Sequence, residues 1–404
     1  MSASWKKAQI ADLVEPITTV DPRQTPGEVF TYIDVSSVCR ETLSIKGEKE
    51  ILGLEAPSRA RRKVMSGDVI FATIRPTLQR LAVIPDSLDD AICSTGFFVL
   101  RPKRNLVSRF LFYYLLSKPF MEEMAALQRG ASYPAVSDSD IKRHRLPLPL
   151  LPEQKRIVEI LDEAFEAIDK AIANTERNIR NAEELIRNRV SEIFSEAKLK
   201  WPTSTLEEVS GITMGQSPPG ISYNSSGNGV PLVNGPVEFG GLHPFSRTVA
   251  SKFTTKPTKL CQKGDLILCV RGSTTGRMNI AGYDSCIGRG VAAISPKHSQ
   301  DWIYRYISFI QGEIFALGTG STFPNISKKS LGSIVIPIPP EGVQQSYYSM
   351  LEILDSKCSE LIQINRAKLL LLANLKQSIL QKAFTGELTK DLRALDKALS
   401  EAGV

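Results

Sequence analysis

The sequence predicts an α+β fold, in which two α/β modules are separated by two long helices that form an antiparallel coiled coil, with an internal pseudo-two-fold repeat. Three observations predict it. The segment GASYPAVS (Gly130 to Ser137) returns as GSTFPNIS (Gly320 to Ser327), 190 residues on. The segment LPLPLLPEQKRIVEILD (Leu146 to Asp162) returns as IPIPPEGVQQSYYSMLEILD (Ile336 to Asp355), so that Pro147, Pro149, Gln154 and Phe194 recur as Pro337, Pro339, Gln344 and Phe384 at that same offset. Each proline-rich exit then runs into apolar residues spaced seven apart, the period of a coiled-coil seam. The expected order is a module over 1–151, a helix over 152–195, a second module over 196–340, and a helix with a tail over 341–404.

Each module opens on a tryptophan, in WKKAQIADLV at Trp5 and WPTSTLEEVS at Trp201. Short β-branched and aromatic runs broken by Gly, Pro and Asn follow, which read as strands and turns. The clearest are GDVIFATIRP (Gly67 to Pro76) and GDLILCVRGS (Gly264 to Ser273), each a turn feeding a strand that ends on an arginine. ICSTGFFVLRP (Ile92 to Pro102) corresponds in place to CIGRGVAAISP (Cys286 to Pro296), and a short helix follows each, SRFLFYYLLS and DWIYRYISFIQG.

The prolines launch the long helices. Pro152 suits a first-turn position, where its missing N–H is no loss, and Glu153 suits the positive end of the helix dipole. In the first helix Val158, Phe165, Ile172, Ile179, Ile186 and Ile193 form one seven-residue series, with Leu161, Ile168 and Ala182 interleaved. In the second, Leu351, Cys358, Asn365, Leu372 and Ile379 form one series, and Leu354, Leu361, Lys368 and Leu375 the other. Thr175 and Asn365 are polar residues on the seams, where such residues cost stability and tend to set register. Each stripe could pack on its own module. The alternative is that the helices pair with each other, leaving positions such as Ile362 and Leu369 for partner helices. At 1.5 Å per residue the first would be roughly 64 Å long, and chain connectivity favours an antiparallel pair with a module at each end.

Composition bounds the function. The mixture of 42% apolar and 23% charged residues is that of a folded chain. No apolar run approaches the roughly 18 to 20 residues that span a bilayer, and MSASWKKAQI lacks a signal peptide's apolar core, so a cytoplasmic protein with no membrane partner is expected. Six cysteines without C-x-x-C spacing and three histidines give a metal little to bind, and free, mostly buried thiols are expected. The excess positive charge is confined to the modules, +4 over 1–151 and +6 over 196–340, against −3 over 152–195 and zero over 341–404. That distribution is the footprint of a polyanion ligand such as duplex DNA.

Catalytic signatures are missing. GTGSTFPNIS (Gly318 to Ser327) has the glycines of a phosphate loop without its lysine, and EILDE at Glu159 lies on the helical seam. SPPG at Ser217 resembles the motif with which adenine methyltransferases grip a flipped base, but Gly220 stands where the stacking aromatic belongs. His144, His243 and His298 read as surface or loop residues. Binding chemistry remains. Arg75, Arg80, Arg271, Arg277 and Arg289 stand at strand ends or in glycine-flanked loops, with Ser273 beside Arg271, where a guanidinium can grip a phosphate or a guanine edge. Gly272, Gly276, Gly288 and Gly290 would allow close backbone approach. SRARRK (Ser58 to Lys63) reads as a phosphate-positioning patch.

Two variable modules, each followed by a Pro-Leu-Pro-x-x-x-x-Gln type exit and a heptad helix, together resemble the DNA-specificity subunit of type I restriction-modification systems. The resemblance covers essentially the whole chain. It is carried by GASYPAVSDSDIKRHRLPLPLLPEQKRIVEILD, by its second copy, by KQSILQKAFTGEL (Lys376 to Leu388), and by STGFFVLRP and GQSPPGISYNSSGNGVPLVNG within the modules. It implies that each module is a target-recognition domain reading one half of a split site, with Ser94, Thr95, Ser132 and Tyr133 in the first and Ser321, Thr322 and Asn325 in the second joining the arginines as DNA-contact candidates. It implies that the helices are a spacer that docks two methyltransferase (modification) subunits, which supply S-adenosylmethionine and adenine methylation. It leaves open whether nuclease-translocase (restriction) subunits, which use ATP and Mg, also join. The chain itself would hold no cofactor and no metal and would not be an enzyme. EGVQQ (Glu341 to Gln345), where the first copy has PEQKR, departs from the pattern and points to unequal docking at the two ends. A self-contained DNA methyltransferase or nuclease with fused DNA-binding domains is the rival reading, and a coiled-coil scaffold without a DNA role a second.

Overall fold

The computed structural model describes residues 5–318 and 325–390, so Ser321 and Thr322 lie outside the described residues. The chain forms two compact units: unit 1 comprises 1–176 and 366–404, and unit 2 comprises 177–365. Each unit is thus a module together with one segment from each long helix.

The two modules repeat one topology. In unit 1 an antiparallel sheet runs in the order Val14–Glu15, Phe97–Pro102, Val69–Ala72, Leu81–Val83. Unit 2 repeats it as Ser210–Met214, Val291–Pro296, Leu266–Cys269, Met278–Ile280. A second sheet in unit 1 has the order Lys49–Leu52, Val29–Ile33, Ile92–Ser94, Ala60–Lys63, with Ile33 beside Cys93 in a parallel pair. Its counterpart in unit 2 has five strands, with Val233 beside Ile287 in the matching parallel pair. The strands Val69–Ala72 and Leu266–Cys269 are buried on both faces, which is why they read as unbroken apolar runs.

The repeated Gly-Asp before those strands is a turn device. Gly67 and Gly264 have φ of +83° and +97°, and the side chains of Asp68 and Asp265 accept from the backbone N–H of Met65 and Gln262, both at 2.8 Å. Buried Asp68 is also held bidentately by Arg101 at 2.9 and 2.8 Å.

Each module closes by pairing its first strand with its last, Lys7–Gln9 with Arg145–Pro147 and Thr203–Thr205 with Val335–Pro337. The repeated glutamines sit just beyond. Buried Gln154 donates to Pro149 O at 2.9 Å and Asn105 O at 3.0 Å and accepts from Val107 N at 2.9 Å, while buried Gln344 donates to Pro339 O at 2.6 Å. Both side chains take up the carbonyl of the proline five residues earlier, which would otherwise be orphaned as the strand turns into the helix. That requirement explains the recurring Pro-x-x-x-x-Gln spacing.

The first long helix spans Leu151–Lys200 and the second Glu341–Thr385, so the first runs five residues past the expected 195. Within unit 1 the helical segments run antiparallel: Glu153 accepts from Thr389 at 2.7 Å, and farther along Asp169 pairs with Lys376. In unit 2 Arg189 meets Met350 at 3.4 Å, again joining a late residue of the first helix to an early one of the second. The segments pack on each other and on the module together. Ile157, Val158, Leu161, Leu380 and Ala383 belong to the same core as Phe71, Phe110 and Leu146, and Ile193, Phe194 and Leu351 to the same core as Leu268, Trp302 and Ile307. Neither simple alternative for the stripes is correct alone.

The first helix buries its expected seam, with Val158, Leu161, Ile168 and Ala182 buried and Phe165 and Ile172 half-buried. The second helix does not keep strict heptads. Leu351 and Cys358 are buried and Leu354 and Leu372 half-buried, but Leu361 and Leu375 are 45% and 46% exposed, and the half-buried positions are Ile362, Leu369 and Lys376. The series Leu351, Cys358, Asn365, Leu372 and Ile379 stays in, while the one that starts at Leu354 moves one residue forward to Ile362, Leu369 and Lys376, as happens when 3.6 residues per turn is not wound to 3.5. Ile362 and Leu369, expected to await partners, are thereby half-buried, and Leu361 and Leu375, expected on the seam, are exposed. Thr175 and Asn365 are buried and donate to carbonyls of their own helix, Ala171 at 2.6 Å and Leu361 at 2.8 Å.

Candidate nucleic-acid interface

In unit 1 three segments converge beyond the strand Val69–Ala72. Thr73 N donates to Gly96 O at 2.9 Å, Val136 N to Thr73 O at 3.0 Å, and Arg75 N to Pro134 O at 2.7 Å. The crest so formed carries Arg75, Thr95, Ser132 and Tyr133, all exposed, Tyr133 by 73%. Arg75 has φ +47° and lies over the Tyr133 ring at 5.4 Å, with Nη2 donating to Ser132 O at 3.4 Å. Such a non-glycine residue in the left-handed region is a strained position of the kind found at binding sites.

Unit 2 repeats the construction. Val270 N donates to Gly290 O and Ile326 N to Val270 O, both at 2.9 Å, and Arg271 bridges to Asn325. Matching these bonds makes Thr73 equivalent to Val270, Gly96 to Gly290 and Thr95 to Arg289, so that Arg271 falls at the place of Ile74 and left-handed Gly272 at that of Arg75. Arg271, Ser273 and Arg289 are exposed. Ser217 Oγ accepts from Arg289 N at 3.2 Å, so the SPPG loop buttresses the arginine turn.

Several sequence-predicted residues land elsewhere. Ser94 is fully buried, its Oγ accepting from Gly96 N at 3.2 Å, because its strand, Ile92–Ser94, is buried on both faces. Arg80 turns back on the fold and donates to Val35 O at 3.0 Å and Val38 O at 3.1 Å, and its counterpart Arg277 is half-buried. In SRARRK, Arg61 pairs with Asp21, Arg62 with Asp138 at 2.7 Å, and Lys63 with Asp90 at 2.5 Å. Arg59 alone of the four basic residues lacks a carboxylate partner among the described residues, and its carbonyl accepts from Thr95 N at 2.8 Å. Gly288 and Gly290 do admit a close backbone, but it is the protein's own: a Cβ on either would overlap Asn234. Gly272 and Gly276, at φ +79° and +86°, make the turn after Arg271.

His144 is buried, not superficial. It lies between Tyr114 Oη and Glu123 Oε2, each at 2.8 Å, and burial lowers its pKa. The six cysteines are free thiols, five of them buried. Among the described residues no group of three or more His, Cys, Asp or Glu is placed to hold a metal, and no helix is long and apolar enough to cross a membrane.

One positioning residue had no signal in the sequence reading. Buried Asp140 accepts from Arg129 at 2.9 and 3.2 Å, from Arg143 at 2.7 Å, and from Ser137 Oγ at 2.6 Å, clamping the base of the loop that presents Ser132 and Tyr133. Arg129, followed by Ser137, holds its carboxyl far below the ordinary range. The second copy has Ser330 at this place, with no carboxylate; its N donates to Ser327 Oγ at 3.0 Å, and its hydroxyl lies 2.9 Å from the same oxygen.

Two equivalent crests of exposed arginines, on duplicated modules that each end in a long helix, define a class: tandem recognition modules mounted on helices. The comparisons place the chain within it. Residues 46–179 and 198–371 match the type I restriction modification DNA specificity domain, and the chain belongs to that family. It is 28% identical to the protein named as type I restriction enzyme MjaX specificity subunit of Methanocaldococcus jannaschii, over 95% of this chain and 93% of the relative. It superposes with a TM-score of 0.87 and 35% identity on a solved chain from a type I restriction-modification system, described for that system's complex assembly and conformational transition, covering 95% of this chain and 98% of the other. The crystal structure of the HsdS subunit from Thermoanaerobacter tengcongensis matches with a TM-score of 0.64 and 34% identity, covering 95% and 97%. The chain is a type I restriction-modification specificity subunit.

Proposed function

We propose that each unit reads one half of an asymmetric, bipartite DNA site, and that the long helices set the gap between the halves while docking two modification subunits. The observation that carries this reading is the pair of equivalent crests with different side chains, Arg75, Thr95 and Tyr133 in unit 1 against Arg271, Arg289 and Asn325 in unit 2. Equivalent geometry suits one class of ligand, and different side chains suit different base sequences. Exposed leucines and isoleucines on the helices, Ile353 at 59% and Ile364 at 58% in unit 2 and Leu370 at 65% and Leu371 at 66% in unit 1, support docking there. We read the chain as a non-catalytic cytoplasmic subunit. S-adenosylmethionine then belongs to the modification subunits, and ATP and Mg to nuclease-translocase subunits where these join.

The test is selection of bound duplexes from a library with randomised half-sites and spacers, by the full chain with its own modification subunits. The expected result is two unlike half-sites at one spacing, with methyl transfer only when the modification subunits are present. Selection of a single continuous site, or methylation by the purified chain with S-adenosylmethionine alone, would overturn the reading.

A further inference from the structure

The two crests share some features and differ in others, and the difference separates two kinds of DNA contact. Arg75 and Arg271 both stand just beyond the central strand but one step apart in the repeat, Arg271 at the place of Ile74 and Arg75 at that of Gly272. Thr95 and Arg289 do share one place, immediately before the glycine whose carbonyl accepts from Thr73 N or Val270 N at 2.9 Å, yet one is a short hydroxyl and the other a guanidinium.

The Arg289 turn is built to be stiff. Flanking Gly288 and Gly290 are packed against Asn234 so closely that neither tolerates a Cβ, and Gly215 is pressed likewise against the carbonyl of Gly288. Arg289 N is held by Ser217 Oγ at 3.2 Å, and Gln216 N donates to Ile287 O at 2.9 Å just below. The backbone is thus fixed while the side chain is exposed, and among the described residues no carboxylate pairs with it. A guanidinium on a rigid mount is the group suited to bidentate reading of guanine O6 and N7. Arg75, by contrast, leans on Tyr133 at 5.4 Å and on Ser132 O at 3.4 Å, which leaves fewer donors for a base edge.

We infer that positions 95 and 289 are one specificity-determining position in two copies: Arg289 requires a guanine in the half-site of unit 2, Thr95 sets the corresponding base pair for unit 1, and Arg75 grips a phosphate in unit 1. This rests on the reading of each unit as a half-site reader.

The experiment is site selection by the full chain with its modification subunits, comparing parent, R289A, R289K, T95R and R75A over a range of salt. R289A and R289K should each lose the requirement for guanine at one base pair of one half-site, by roughly 5- to 150-fold in discrimination, and leave the other half-site untouched. Lysine retains the charge without the fork, so R289K separates reading from mere attraction and also serves if R289A folds poorly. T95R should add a guanine requirement at one base pair of the opposite half-site. R75A should keep the selected sequence and lower the salt slope by about one. Unchanged selection by R289A or R289K would overturn the assignment of Arg289, as would unchanged selection by T95R the equivalence of the two positions. A shifted sequence with R75A would overturn its phosphate role. Failure of the parent to select any bipartite site would instead remove the half-site reading beneath the inference.

Discussion

Phe194 and Phe384 occupy the same place in the repeat, and truncating each to alanine should damage one unit only. Phe194 is fully buried in unit 2, with ring centroids 4.8 Å from Trp302 and 5.3 Å from both Tyr306 and Phe309. Phe384 is half-buried in unit 1, 5.3 Å from Phe110 and 5.1 Å from Tyr114. Phe→Ala in a core costs about 3 to 5 kcal/mol, and each well-placed aromatic pair adds about 0.5 to 1.5 kcal/mol beyond area burial. With full burial and three ring partners, F194A belongs near the top of that range. Partial burial and two partners put F384A lower, at about 2 to 3 kcal/mol. Both fall short of the roughly 5 to 15 kcal/mol that holds a domain folded, so both variants should purify and can be compared by hydrogen exchange on the full chain. F384A should speed exchange in Ser108–Leu115, more than 260 residues away in sequence, and leave Gln300–Phe309 protected. F194A should do the reverse. Equal loosening of both helices by either variant would refute the assignment of 366–404 to unit 1 and 177–200 to unit 2.

Further outcomes follow from charge, from Asp140 and from the helices. DNA affinity of the isolated chain should be weak and fall steeply with salt, because the positive excess lies on the modules, and salt-independent affinity in a titration series would contradict this. The Asp140 carboxyl is held far down by Arg129, Ser137 and Arg143; its contribution is therefore complete above the unfolded carboxylate pKa near 4 and fades as pH falls below that. D140N should loosen 130–136 at neutral pH, seen as faster amide exchange around Tyr133, and abolish the acid dependence of that exchange, whereas a loop indifferent to D140N is not clamped by it. Seven residues inserted into each long helix, near Thr175 and near Asn365, lengthen each by roughly 10 Å, so selected half-sites should keep their sequences and move apart by about three base pairs at 3.4 Å each. Retention of the parental spacing with full affinity would show that the helices do not set it.

What was legible in the sequence were the features that repeat or recur locally. The 190-residue offset marks the duplication, and Gln154 and Gln344 act on prolines five residues away, so both ends of each contact lie in one motif. The seam of the first helix could likewise be read from its own period. The second helix broke that reading because Leu361 and Ile362 are both apolar, as are Leu369, Leu370 and Leu371, and a run of leucines fits either flank. The fold half-buries Ile362 and Leu369 and leaves Leu361, Leu370 and Leu371 exposed.

The crest was less legible because its chemistry depends on partners far along the chain. Arg61, Arg62, Arg75 and Arg80 look alike in sequence, yet Asp21 and Asp138 neutralise the first two, the carbonyls of Val35 and Val38 absorb the last, and only Arg75 stands exposed over Tyr133. A module that binds a polyanion therefore uses many of its cations to hold itself together. The same holds for the glycines beside Arg289: they admit Asn234, not DNA. Their function is indirect, since a turn packed that tightly cannot yield when a ligand meets the arginine it carries. Rigidity below and a free guanidinium above are one arrangement, and this is why the discriminating contact is sought at Arg289 and not at the more numerous arginines the fold has already engaged.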